Sequence, residues 1–133
     1  MYQLTVANNI EFYGIGLHTG EKSKIIIKPS LENTGIIFKK NDDLSTGIKA
    51  IVDNVSTTKR GTTISSDSSD IHTVEHVLSA LYALSIDNAI IEIDGNEIPI
   101  LDGSTKEFYE KIKSVGTKQL NKIKEFIIIE DKI

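Results

Sequence analysis

Hydrophobic and polar positions change rhythm once along this chain. Over the first 70 residues the apolar positions fall in short β-forming runs separated by glycine and Asx-type turns. "QLTVANNIEFYG" (3–14) mixes β-formers with polar positions and runs into "GIGLHTG" (14–20). "KSKIIIKP" (22–29) is a strand stopped by Pro29, and the turn "NTG" (33–35) leads into "IIFKK" (36–40). "GIKAIVDNV" (47–55) and "GTTIS" (61–65) are further strand candidates, and "SSDSSD" (65–70) is a polar turn.

From residue 73 the period becomes helical. Val74, Val77, Leu78, Leu81 and Leu84 follow the i, i+3, i+4, i+7 rule and form one apolar stripe, with Thr73 as the expected N-cap. "DNAIIEIDG" (87–95) reads as a buried strand, and "NEIPILDGS" (96–104) as an extended turn fixed by Pro99. Ser104-Thr105-Lys106-Glu107 has the form of a capping box. The helix it opens carries Phe108, Tyr109, Ile112 and Val115 inward and stops at Gly116. Strands followed by two helices separated by a strand predict an α+β domain: a mostly antiparallel sheet with both helices packed on one face. "KQLNKIK" (118–124) is expected to be a polar connector. "EFIIIEDKI" (125–133) is a β-forming run with no partner after it, either an edge strand or the opening of a second domain.

Composition narrows the chemistry more than the fold. With 133 residues the chain is long enough to bury a core without staples. A net charge of −4 with no basic run argues against a nucleic-acid surface. The chain has no cysteine, so disulfides, thiolate metal sites and a cysteine nucleophile are all excluded. A metal would have to be held by histidine and carboxylate. The opening "MYQLTVANNI" lacks a signal-peptide pattern, and no apolar run approaches a membrane span, so a cytoplasmic chain is expected.

The candidate chemistry sits at the start of the first helix, in "IHTVEHVLSAL" (71–81). At 100° per residue, Glu75 and His76 lie off the apolar stripe and are not needed for the core. The positive end of the helix dipole disfavours imidazolium, and neutral imidazole is the form that ligates metal. A Glu-His pair on the surface near a helix start is the plainer reading. His72-Thr73-Val74-Glu75-His76 also fits H-x-x-E-H, the inverted zincin signature of metalloproteases, which requires both histidines on one helical face.

The order of four blocks adds a further reading. "GIGLHTG", "NTGIIF", "TVEHVLSALYALSIDNAIIEI" and "EIPILDGS" resemble the UDP-3-O-acyl-N-acetylglucosamine deacetylase family, zinc hydrolases of lipid A synthesis, over roughly residues 3 to 118. The resemblance implies one half of a two-domain β-α-α-β sandwich: residues 1–118 as the N-terminal domain, and 119–133 as linker and first strand of an absent second domain. It implies that His76 is one zinc ligand, that Glu75 is the general base, and that His18 lies near the mouth of the active site. For His18, a loop histidine in a tight turn is an equally good reading. Asp102 matches a family position but reads first as the turn residue leading into Ser104. Lys59 and Arg60 could meet the nucleotide's phosphates, but two adjacent basic residues are more often merely solvated.

The family's other zinc ligands, a histidine and an aspartate spaced H-x-x-x-D in the second domain, have no counterpart here, so the zinc site is incomplete. The expectation is a chain inactive alone, whose partners are the UDP-sugar lipid substrate and a second deacetylase domain. Self-association through exposed helix faces is expected too. A binding or regulatory domain that kept the fold and lost catalysis stays open beside it.

Overall fold

Isoleucines and lysines alternate along 22–28, and the computed structural model, which describes residues 1–41 and 46–132, turns that alternation into the middle of a sheet. Strands β1 (Tyr2–Val6), β2 (Ile10–Ile15), β3 (Lys22–Lys28), β4 (Ile36–Lys40) and β5 (Ile48–Lys49) come first. They are followed by β6 (Val55–Thr57), β7 (Thr63–Ser65), β8 (Asp70–Ile71) and helix α1 (Glu75–Ala83). Strand β9 (Ala89–Asp94), helix α2 (Lys106–Val115) and β10 (Thr117–Ile123) complete the order.

The main sheet runs β2-β3-β9-β4-β5; all its pairs are antiparallel except β4 with β9. Period 2 puts Ser23, Ile25 and Ile27 of β3 and Ala89, Ile91 and Ile93 of β9 on the buried face. The register sets Ile25 opposite Ile93 and Ile27 opposite Ile91, while Phe38 of β4 sits beside Ile91. The helices cover this face and pack on each other. Helix α1 buries Val77, Ala80 and Leu81, with Leu78 and Leu84 half-buried, so the predicted stripe holds. Helix α2 buries Phe108 and Ile112; Phe108 meets Phe12 of β2 with ring centroids 4.8 Å apart. The outward side of the helix pair exposes Tyr82. A three-stranded sheet β6-β7-β8 precedes α1. Among the described residues no helix is long and apolar enough to cross a membrane.

Several local expectations change. The run 3–14 divides into two strands of different sheets, and 47–55 forms only a two-residue strand and a 3₁₀ turn (Val52–Asn54) before β6. Thr73 is not the N-cap: α1 begins one residue later, after Val74. Thr73 adopts φ +61, and its hydroxyl donates to the buried Glu97 carboxylate at 2.9 Å instead of receiving helix amides. A charged acceptor binds a hydroxyl more strongly than a neutral amide donor does.

The capping box does not form, since the N-cap of α2 is Thr105, which makes no side-chain cap bond. The Ser104 hydroxyl accepts from the Lys106 N–H (3.1 Å), but the Ser104 N–H goes to Asp102 Oδ1 (2.9 Å) and not to Glu107. Asp102 closes a two-residue Asx turn, which is shorter than the reach back from Glu107.

The expected connector at 118–124 is mostly strand. β10 pairs antiparallel with β1, so the division expected at residue 118 falls inside a strand. Asp87 Oδ2 fastens this ribbon to the body, accepting from the Leu4 N–H (2.7 Å) and from Lys124 Nζ (2.9 Å). Residues 125–132 form no strand, and Phe126 to Ile129 are exposed; Ile133 lies outside the described residues.

Candidate active site

Three segments far apart in sequence meet above Gly61. The β2–β3 turn carries His18, the start of α1 carries Thr73, Glu75 and His76, and the approach to β7 carries Gly61 and Thr62. A Cβ placed on Gly61 would stand 3.3 Å from Glu75 Oε1, 3.4 Å from His18 Nε2 and 3.7 Å from Thr73 Oγ1. Only a residue without a side chain leaves that point open, and its φ of +156 also favours glycine. Beside this point lies a cavity of about 290 Å³, lined in part by His18, Lys59, Gly61, His72 and Thr73.

Glu75 is oriented by main chain. Its Oε2 accepts the Thr62 N–H at 3.0 Å, and in return the Val74 N–H donates to the Thr62 carbonyl at 3.2 Å. This exchange ties the first turn of α1 to the entry of β7 and leaves Oε1 on the Gly61 side. His76 follows in the same turn; it is half-buried and, among the described residues, its ring has no hydrogen-bond partner. Its ring nitrogens are therefore uncommitted, as a metal ligand requires. Among the described residues no three histidine or carboxylate groups cluster to hold a metal ion.

The structure separates the two histidines of the H-x-x-E-H reading. His72 precedes the helix in a bridge with Glu97, and its Nδ1 is 2.9 Å from the Thr63 hydroxyl. The one-face geometry of an inverted zincin is not formed. Lys59 reaches the cavity wall, whereas Arg60 lies exposed beside it, at φ +58. Asp102 keeps to its turn, where the Ser104 N–H and hydroxyl hold its carboxyl below the usual range.

Sequence reasoning assigned nothing to Glu97, which the structure places under the site. It is 2% exposed and receives the His18 N–H (3.0 Å to Oε1, 3.2 Å to Oε2), the Thr19 N–H (2.8 Å) and the Thr73 hydroxyl. Burial pushes its carboxyl up, but these bonds and the Thr19 hydroxyl outweigh burial and hold it at about 2. The available signal was a charged residue in the apolar stretch "NEIPI" directly after a buried strand.

The family model described as UDP-3-O-acyl N-acetylglycosamine deacetylase matches residues 3–133. The UDP-3-O-acyl-N-acetylglucosamine deacetylase of Campylobacter hominis is 44% identical over 133 residues, all of this chain and 45% of that protein. The bifunctional enzyme LpxC/FabZ of Chlorobaculum tepidum is 43% identical over 134 residues, all of this chain and 29% of that protein. That of Bacteroides thetaiotaomicron is 40% identical over 132 residues, 98% of this chain and again 29% of the relative. The chain thus spans less than half the length of these relatives. From Gln3 onward it belongs to the UDP-3-O-acyl N-acetylglycosamine deacetylase family.

Proposed function

We propose that this chain is the N-terminal half of a zinc-dependent deacetylase that hydrolyses the acetamide of UDP-3-O-acyl-N-acetylglucosamine in lipid A synthesis, in the cytoplasm. The observation that carries the reading is the Glu75 carboxylate, with one oxygen held by the Thr62 N–H and the other turned to the space above Gly61 that His18 also faces. Glu75 acts as the general base and accepts the proton of the attacking water. His76 supplies one metal ligand through its uncommitted ring. His18 contacts substrate at the mouth of the same cavity. When bound, zinc supplies a Lewis acid and a water of lowered pKa. Water and amide are consumed; acetate and the free glucosamine amine are released.

A catalytic zinc usually takes three protein ligands, and this half offers one. The remaining histidine and aspartate, and the group that protonates the leaving amine, are assigned to a second domain entered through the run from Glu125. That domain packs on the helices, and the 133-residue chain is inactive by itself. In its absence, any self-association of the chain runs through the same helix faces.

The test is acetate release from UDP-3-O-acyl-N-acetylglucosamine with zinc present. The 133-residue chain should give none, and the protein that also carries the second domain should give turnover that a chelator stops. Turnover by the short chain, or full activity of the longer protein with Glu75→Gln, would refute the assignment. The ligand shortage also favours a second reading, a substrate-binding domain without catalysis. In that case Glu75→Ala would leave ligand binding unchanged and no form of the protein would release acetate.

A further inference from the structure

Glu97 is a buried carboxylate without an ion-pair partner among the described residues, a placement that is expensive unless hydrogen bonds replace the lost water. The replacements come from the two segments that carry the candidate reacting groups. The His18 and Thr19 N–H groups belong to the turn that presents the His18 ring. The Thr73 hydroxyl belongs to the residue two positions before Glu75, at the left-handed φ of +61. Such a backbone conformation persists only where its surroundings hold it.

The turn folds directly over the carboxylate, since a Cβ on Gly16 would collide with Glu97 and with the Thr19 hydroxyl. Glu97 is itself fixed. Its carbonyl accepts the Ser23 hydroxyl at 2.6 Å, and main-chain bonds His72 N–H to Asn96 O (2.8 Å) and Ile98 N–H to His72 O (3.1 Å) flank it.

We propose that Glu97 is a positioning residue of the site: by gathering the His18 turn and the entry to α1 on one anionic group, it sets the separation of the His18 ring and the Glu75 carboxylate across Gly61. Charge-assisted bonds to a single carboxylate fix direction as well as distance. Its link to catalysis rests on the deacetylase reading; its effect on geometry does not.

The test uses Glu97→Gln and Thr73→Val. In the 133-residue chain, amide exchange at His18 and Thr19 should rise on the order of tenfold in Glu97→Gln. The nuclear Overhauser contact between the His18 ring and Gly61 should weaken while core resonances stay in place. In the longer, active protein kcat should fall on the order of 10²-fold with KM changed less than about threefold, as for a misplaced rather than a missing group. Thr73→Val removes one donor and spares the carboxylate, so it should shift the same readouts in the same direction by less; it carries the test if Glu97→Gln does not fold. Unchanged contacts and exchange in the folded variants would overturn the proposal, as would a fall in activity that only tracks the unfolded fraction. If no form of the wild type turns over, the deacetylase reading fails, while exchange and contacts still decide the geometry.

Discussion

The Thr62 N–H points at Glu75 Oε2 from 3.0 Å, thirteen residues upstream of the carboxylate it orients. A main-chain donor cannot swing away as a side chain can, so the carboxylate is aimed before any substrate arrives. Glu75→Gln keeps an acceptor for Thr62. Stability by urea unfolding should change by no more than about 1 kcal/mol, while turnover in the longer protein should drop by roughly 10²–10⁴. A loss of turnover below tenfold would remove Glu75 from the role of base.

Gly61→Ala should harm both fold and site. The new methyl would enter the space between Glu75 Oε1 and His18 Nε2 on a backbone at positive φ. Alanine at such a conformation costs more than about 1 kcal/mol, readable as a lower urea midpoint. The His18 ring resonances should shift at the same time. An unshifted spectrum would mean that the two side chains do not meet there.

Acid should loosen the His18 turn. The Glu97 carboxyl sits at about 2 when folded against an ordinary value of 4.5. A lowered carboxyl gives stability that is fully present above about pH 4.5 and is lost as pH falls towards 2. A shift of this size corresponds to roughly 3 kcal/mol. The stability gap between wild type and Glu97→Gln, measured by urea unfolding at stepped pH, should narrow over that window. A gap that stays constant from pH 6 to pH 2.5 would contradict it.

Phe108→Ala should cost about 3–5 kcal/mol, because its ring is fully buried and packs on Phe12 between α2 and β2. A double-mutant cycle with Phe12→Leu should show coupling, since the two rings touch.

Cutting after Lys124 should leave the unfolding free energy within about 0.5 kcal/mol, as residues 125–132 are almost all exposed. Cutting before Thr117 removes the partner of β1 and the buried Leu120, and the urea midpoint should fall clearly. Equal midpoints for the two truncations would show that the ribbon adds nothing.

What could be read in advance was whatever a local period dictates. The strands β3 and β9 and the stripes of α1 and α2 each depend on residues within one element, and each stands as expected. What could not be read depends on distant partners. Glu97 draws on main-chain donors 78 and 79 residues away, which no side-chain pattern records. Thr73 has the right side chain for an N-cap, but a buried carboxylate competes for it. β10 exposes six of its seven residues and so lacks an apolar signature, while the apolar run beginning at Phe126 finds no sheet to join.

The pairing of β1 with β10 bears on biosynthesis. Among the described residues, the strand that pairs with β1 along its length is translated more than a hundred positions after it. Until Ile123 emerges from the exit tunnel, the segment from Tyr2 to Val6 carries unpaired edge amides and the apolar Val6 into a crowded solution. Closure of this ribbon is therefore a late, non-local event.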